Sequence, residues 1–423
     1  MVIGAGAIGL ATARALSGAG LPTMVLEQYS HFGEENSSRH SEVIHAGIYY
    51  PTGSWKARFC VEGKKLLTSY VQERSIAHNR CGKIIIASDG NKAALKALFD
   101  KGVANGVDDL VMLTKKDVFA LEPEVECDLA VLSPNTTIFD SHSVLLNYAA
   151  DIENTGHSGI VYNCKVLGIK ASQQHTSSRA SSSQSRFVVS TNQGDIACDY
   201  LVNAGGLHAQ YVASHITDYP THLIPSPYFA KGNYYKLQRA SSNSSSSSRA
   251  PFQRLIYPLP SQGGLGIHAT LDLNGGVRFG PNVEWIQNPV TVKSNSDDVY
   301  CFPKDAPPYL NFAVNEHQAE AFCREIQTYY PSLRVEDLQP DYAGIRPKLC
   351  GPDGGKGSVI STENSAASNG GYVMKSAVDF VMHDHTVHGL KGLIQLYGIE
   401  SPGMTSSMSI GAYVSKLLLS DDY

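Results

Sequence analysis

What this chain lacks narrows its class before any motif is read. It has no basic block: 34 Lys and Arg stand against 39 Asp and Glu, for a net charge of −5. A nucleic-acid partner would need clustered cations facing its phosphates. The eight cysteines, at 60, 81, 127, 164, 198, 301, 323 and 350, are scattered, and no two stand at a C-x-x-C spacing. That pattern signals neither a metal site nor a disulfide framework, and the thiols read as those of a reducing compartment. No apolar run approaches the roughly 20 residues of a membrane span, and "KIIIAS" (83–88) reads as a short buried strand. A signal or transit peptide and an internal repeat are also missing. Charged residues make only 17% and hydrophobic ones 42%, as in an ordinary soluble globular chain. At 423 residues the chain exceeds the roughly 250–300 that one core serves, so two lobes are expected.

What is present starts at once. "MVIGAGAIGLATARALSGAGLPTMVLE" contains Gly4-x-Gly6-x-x-Gly9, an Ala/Leu-rich helical stretch, a break at Gly20 and Pro22, and a strand ending at Glu27. In such a strand–turn–helix–strand unit the first glycine permits the tight turn. The second lets the backbone approach a pyrophosphate, and the third lets helix and strand pack closely. Glu27 is placed to accept from a ribose 2′-OH and to repel a 2′-phosphate. The unit reads as dinucleotide-binding, without choosing between FAD and NAD. Only Met1, Val2 and Ile3 precede Gly4, where a strand of ~5–6 residues is usual. The natural start, with any targeting segment, is therefore expected to lie upstream.

Further on, helices are predicted over 54–75, 91–106, 140–156, 315–330 and 406–420, and strands over 82–88, 164–172, 186–206 and within 225–285. Serine-rich tracts at 172–185 and 240–248 read as solvated loop insertions. The stretch "SSRHSEVIHAGIYYP" (37–51) gathers Arg39, His40, Glu42 and His45 within seven residues, a density that points to a site.

With these pieces in order, the chain resembles the FAD-dependent oxidoreductases of the D-amino-acid oxidase superfamily, and within it the L-2-hydroxyglutarate dehydrogenase/oxidase group. The likeness is carried by "VIGAGAIGLATARAL", "SSRHSEVIHAGIYYP", "FDSHSVLLNYA", "LVNAGGLHA", "AKGNYYKL", "LIYPLP", "GGLGIHATLDLNGGVRFGPNVEW", "YAGIRPKL" and "GIESPGMTSSMSIG". It implies an α/β architecture: a discontinuous Rossmann-like FAD-binding domain (1–80, 140–220, 340–423) and a smaller α+β, mixed-sheet substrate domain (81–139, 221–339). By the same resemblance Gly4, Gly6, Gly9, Glu27, Val166, Ala204 and Gly205 hold the adenosine diphosphate half of FAD. Ser38, Arg39, His40 and Ser41 run along the pyrophosphate. Arg346 and Gly398, Ile399, Glu400, Ser401, Gly403, Met404 and Thr405 border the flavin. In some superfamily members a histidine placed like His45 is bonded covalently to FAD, and non-covalent contact is the reading favoured for His45. The "GIRPKL" and "GIESPGMTSS" forms point to a less familiar branch, which bears on the substrate more than on the chemistry.

The implied reaction takes a hydride from C2 of a 2-hydroxy acid to flavin N5 and a proton from its hydroxyl, giving 2-oxoglutarate from L-2-hydroxyglutarate. A base of pKa near neutrality suits the proton, and histidine is the natural type: His268 first, His45 second. Arg346 is the first choice to fork onto a carboxylate, followed by Lys231, Arg278 and Lys348, with Tyr234 and Tyr257 as hydroxyl donors. The electrons pass to a quinone, a carrier or oxygen. Three other readings compete: an amino-acid or amine oxidase of the glycine-oxidase type, a nicotinamide dehydrogenase, and a non-catalytic dinucleotide-binding module. The resemblance implies a mitochondrial location with peripheral membrane contact, cytoplasmic being the alternative, and no metal.

Overall fold

The computed structural model describes residues 1–171, 185–238, 250–259, 266–286, 310–352 and 379–420; the serine-rich tracts fall outside them but for Ser185. The glycine spacing produces the unit it predicts: β1 (Val2–Ile3), α1 (Ala7–Gly18) and β2 (Met24–Leu26). Two residues suffice for β1 because both are buried between parallel neighbours. The amphipathic stretch 54–75 forms α2 (Trp55–Glu73), capped by Ser54, which accepts from the Ala57 N–H. β3 (Lys83–Ala87), α3 (Lys92–Ala104), β4 (Val111–Thr114) and β5 (Leu129–Ser133) follow. Asp140 then caps α4 (Ser141–Glu153) by accepting from Ser143. After β6 (Gly159–Val161), a three-stranded meander spanning Val166–Ala171, Phe187–Thr191 and Gly194–Cys198 leads into β7 (Leu201–Asn203).

The later strands are β8 (Tyr228–Leu237), β9 (Leu255–Pro258), β10 (Ala269–Leu271), β11 (Val277–Phe279), β12 (Glu284–Ile286), β13 (Leu338–Lys348), β14 (Val381–His383) and β15 (Leu393–Tyr397). The helix predicted over 315–330 is shorter, a 3₁₀ turn and then Ala319–Ile326. Tyr329 and Tyr330 leave it to enter the core, and Pro331 disfavours helix in the residue before it. The last helix, α5 (Gly403–Leu418), starts three residues earlier than predicted.

Two sheets organise the molecule. The first runs β14-β15-β7-β1-β2-β6, parallel except for β14 at its edge. Its strand order turns about β1, where the α1 loop opens a crevice. The second is nine-stranded, ordered β12-β8-β11-β10-β9-β3-β5-β4, with β13 also paired to β8. Segments 81–139 and 221–339 give β3–β5 and β8–β12 to it. β13 extends it past residue 340, where the sequence division returns to the first lobe, because nine residue pairs tie β13 to β8.

α5 packs between α1 and α2 at backbone distance: a Cβ on Gly411 would lie 2.5 Å from the Ala11 carbonyl oxygen, and one on Gly63 2.2 Å from that of Thr405. This fixes the N-terminus of α5, and the "GIESPGMT" segment before it, against the crevice. No helix among the described residues is long and apolar enough to cross a membrane.

Candidate active site

Two adjoining cavities, with about 1010 and 1020 Å³ of atom-free space, share Ala7, Ile8, Asn36, Ser37, Pro347 and Ile399 in their walls. Through these shared walls they form one elongated cleft.

The first cavity lies at the β1–α1 turn. Gly4 has φ +97°, and a Cβ there would sit 2.7 Å from the Ala204 carbonyl oxygen. Gly6, the N-cap of α1, offers no side-chain cap to the helix. Ala7 N–H donates to Ser37 Oγ at 2.9 Å. The open helix end and the missing Cβ on Gly6 are what a pyrophosphate needs. Glu27, just beyond β2, accepts from Ala5 N–H at 2.7 Å and Tyr29 N–H at 3.0 Å. Burial, only partly offset by these donors, raises its pKa. Across the cleft Asn203 holds the "NAGG" turn, donating to Ala209 O at 2.7 Å and Gln395 Oε1 at 2.6 Å and accepting from Gly205 N–H at 3.1 Å. Val166, Ala204 and Gly205 complete the wall. Glu35 closes the far side, bonded to His208 Nε2 at 2.7 Å and accepting from Tyr29 O–H at 2.9 Å. Glu27→Ala is expected to weaken FAD binding by tenfold or more, on the order of 1.5–3 kcal/mol, read by titrating apoprotein with FAD.

The second cavity is walled on one side by the 37–51 stretch and on the other by the second sheet. Arg39, His40, Ser41 and His45 line it. Glu42 does not: held at φ +53°, it accepts from Ser141 N–H at 3.2 Å and Ser141 O–H at 2.7 Å, securing the start of α4. Glu42 N–H donates to His40 Nδ1 at 3.0 Å, which makes that nitrogen the acceptor of a neutral ring. His40 Nε2 and Arg39 Nε are buried polar atoms with no partner among the described residues. Burial, then the charges of Lys83, His268 and His40, lower the pKa of His45 well below its ordinary value. The His45 backbone N–H donates to Thr405 Oγ1 at 3.0 Å.

Opposite, His268 lies flat on Tyr257, ring centroids 3.6 Å apart and planes 11° apart, and both line the cavity. Tyr234 O–H and Ser41 Oγ are 3.0 Å apart, and the Tyr234 ring stacks on Tyr342 at 4.4 Å. Arg346 donates from Nη1 to Asn282 O at 3.0 Å. It sits over Gly232, where a Cβ would lie 3.0 Å from Arg346 Nη2. Ile399, Glu400, Ser401, Gly403, Met404 and Thr405 form the end wall.

The structure therefore brings most of the sequence-predicted residues to one cleft, but not all. Gly9 stands behind the turn, where a Cβ would lie 1.9 Å from Gly4 O. Ser38 points out and bonds Glu35 O at 3.1 Å; its neighbour Ser37 faces the cleft instead. Gly398 supports the wall at φ +65° without lining it. Lys231 is buried and donates to Ala313 O at 2.9 Å. Arg278 pairs with Asp341 at 2.8 Å and Asp272 at 3.7 Å. Lys348 is engaged by Glu400 at 2.8 Å, beside the cleft. Sequence reasoning missed Asn36, whose amide is clamped to Ile345, accepting from its N–H at 3.0 Å. It also missed Lys56, which shares Glu400 at 3.0 Å. Among the described residues no group of three or more His, Cys, Asp or Glu side chains could hold a metal ion.

Comparison with known proteins agrees with this geometry. The family profile described as "FAD dependent oxidoreductase" matches residues 1–417. The chain is 36% identical to the mitochondrial L-2-hydroxyglutarate dehydrogenase of Arabidopsis thaliana, over 99% of this chain and 83% of that one. It is 29% identical to the human mitochondrial enzyme of that name, over 84% and 78%. It is 25% identical to the Escherichia coli L-2-hydroxyglutarate dehydrogenase, over 98% and 91%. Among solved structures, the FAD-bound L-alpha-glycerophosphate oxidase of Mycoplasma pneumoniae superposes with a TM-score of 0.72 at 20% identity, covering 99% and 93%. The glycine oxidase of Geobacillus kaustophilus gives 0.68 at 16%, with the same coverage. At those identities the likeness is one of fold.

Proposed function

The chain belongs to the family of FAD-dependent oxidoreductases, and on that premise we propose that it oxidises L-2-hydroxyglutarate, or a close 2-hydroxy acid, to the corresponding 2-oxo acid. The observation that carries the substrate is the 36% identity to an L-2-hydroxyglutarate dehydrogenase across 99% of this chain. The cavity is consistent with an anionic substrate. Arg39 and Arg346 line it, and neither has an ion-pair partner among the described residues.

The residues present fit FAD. The α1 N-terminus that Gly6 leaves without a side-chain cap of its own, the missing Cβ at Gly6 and the acceptor carboxylate of Glu27 suit a pyrophosphate and a ribose. The unpartnered His40 Nε2 and Arg39 Nε suit the polar edge of the flavin half. Gly4, Gly6, Glu27, Val166, Ala204 and Gly205 would hold the nucleotide end, Ser37 and Arg39–Ser41 the middle, and Ile399–Thr405 the ring end. Gly9 acts from behind the turn. FAD supplies the acceptor for the two electrons that leave C2.

The chain's own residues do the rest. Arg346 takes a substrate carboxylate in its fork, with the Tyr234 hydroxyl beside it. His268 accepts the proton of the C2 hydroxyl, and the Tyr257 ring fixes the plane in which it can do so. His45, half-buried and neutral, lines the same space and would contact FAD without a covalent bond. The electrons go on to a quinone, a carrier or oxygen. The eukaryotic relatives are named as mitochondrial, and the same location is proposed here.

The visible spectrum of the purified protein tests this. A flavin band that bleaches anaerobically with L-2-hydroxyglutarate, but not with the D-isomer, is the expected result. A flavin that stays oxidised with the L-isomer and bleaches with glycine or another amino acid would replace the proposal with the amine-oxidase reading.

A further inference from the structure

Behind the cavity wall lies a residue to which the reaction gives no role. Lys83 opens β3 and is 1% exposed. It has no ion-pair partner among the described residues. Its ammonium sits 4.9 Å from the centroid of the Tyr49 ring and 4.9 Å from that of Tyr257. A buried ammonium without a carboxylate is costly. Aromatic faces return only part of that cost, so a purely structural lysine would be poorly placed here.

The sheet register explains how it reaches the site. β3 and β9 pair in parallel, Lys83 with Leu255 and Ile85 with Tyr257. Alternation then puts Lys83 and Tyr257 on one face, diagonally adjacent. Tyr257 carries the His268 ring at 3.6 Å. The ammonium is thus one aromatic ring away from the imidazole that faces the cavity.

We propose that Lys83 is a positioning residue: its fixed charge beside the Tyr257–His268 stack keeps the cavity-facing imidazoles of His268 and His45 neutral and ready to accept a proton. This rests on the reading that a histidine takes the substrate proton.

The surrounding groups leave that charge uncancelled. α2 presents Cys60 and Lys64, and burial pushes the Cys60 thiol up to about 12, so it is uncharged. Lys64 is itself cationic and lies 3.8 Å from Asp109. The loop after residue 44 presents Tyr49 and β9 presents Tyr257, and burial raises both phenols, so neither supplies an anion near neutrality. Among the described residues the charges that act on His45 are those of Lys83, His268 and His40, none of them a carboxylate. Burial lowers the pKa of Lys83 itself to about 8, which leaves it charged at neutral pH.

The test uses FAD-loaded protein labelled with ¹³C at histidine Cε1, with the two resonances assigned through His45→Gln and His268→Gln. In the unsubstituted protein the His45 ring is expected to stay neutral below the ordinary histidine range. Lys83→Gln, and Lys83→Met as a better-packing second variant, should raise both titrations by roughly one pH unit. Lys83→Arg should leave them in place. The acid limb of kcat/KM should move by the same amount, which a packing defect alone would not do. Unchanged titrations in a folded Gln or Met variant would overturn the proposal. So would unsubstituted protein whose His45 ring titrates at the ordinary histidine value, a result that needs no variant to fold. Because the resonances report without turnover, failure to oxidise L-2-hydroxyglutarate would count against the substrate and not against Lys83.

Discussion

Replacing His268 by alanine is expected to lower kcat by roughly 10²–10⁴-fold while FAD stays bound and KM changes by no more than a few-fold. The reasoning starts from position. His268 is the residue on the second-sheet wall that combines a proton-accepting side chain, 7% exposure and a fixed ring plane. A base must sit within hydrogen-bond reach of the proton it removes, and a freely rotating imidazole would lose much of the advantage. Removing the ring uncovers one face of Tyr257, which is otherwise held inside the β9 core, so the scaffold should persist. The proposed FAD contacts lie on other segments, namely the α1 turn, residues 37–41 and the start of α5. Stopped-flow measurement of anaerobic flavin reduction, alongside steady-state kcat and KM, gives the answer. A loss confined to KM would make His268 a carboxylate ligand and pass the base to His45. His268→Gln sharpens the distinction, because glutamine can donate to a carboxylate but cannot serve as a base near neutral pH.

The first half of this site was legible because local rules dictate it. Three glycines at the right spacing and an acid 23 residues past the first are each required by a turn, a close approach or a ribose, so spacing maps directly to geometry. The stretch from 37 to 51 was legible as a site but not residue by residue. A 3₁₀ turn over Asn36–Ser38 and the positive φ of Glu42 break any period. Reading by neighbourhood therefore chose Ser38 over Ser37, and nothing in the pattern marked Glu42 as the anchor for α4. In the second sheet, alternation says that a side chain faces one side but not what lies there. Arg278 and Lys231 sit on credible strands, yet Asp341 and the Ala313 carbonyl claim them. Lys83 has the opposite history. In "GKIIIAS" the sequence marks a short buried strand but gives its lysine no place, and only the pairing with β9 carries Lys83 under Tyr257. The shortened helix before Pro331 and the lengthened α5 follow the same logic, since tyrosine burial and packing against α1 override propensity at their ends.

The ion cluster around Glu400 shows most clearly what sequence distance conceals, and replacing its one anion should be the most damaging change to the fold at this site. Glu400 accepts from Lys56, 344 residues away, at 3.0 Å and from Lys348 at 2.9 Å. Its side chain is 11% exposed, with 8% and 28% for the two lysines. The cluster ties α2, β13 and the segment entering α5 together at the cavity wall. Burial alone would raise the carboxyl, but the two ammonium groups outweigh it and bring Glu400 down to about 2. A group whose pKa is depressed in the folded state stabilises it above the unfolded-state value, near 4.5, and that contribution disappears as pH falls towards the folded value. Denaturation of the unsubstituted protein should therefore show stability declining from about pH 4.5 to pH 2. Glu400→Gln leaves two ammonium groups facing each other without an anion. Its expected cost is about 3–5 kcal/mol at pH 7, the range for breaking a buried pair from one side, and the gap between the two proteins should close as the solution is acidified towards pH 2. Adding Lys348→Met should recover part of the loss, because one of the two stranded charges is then gone. If Glu400→Gln costs less than 1 kcal/mol at pH 7, the cluster behaves as a solvated surface network, and the wall it forms must be held by the Gly411–Ala11 and Gly63–Thr405 backbone contacts instead.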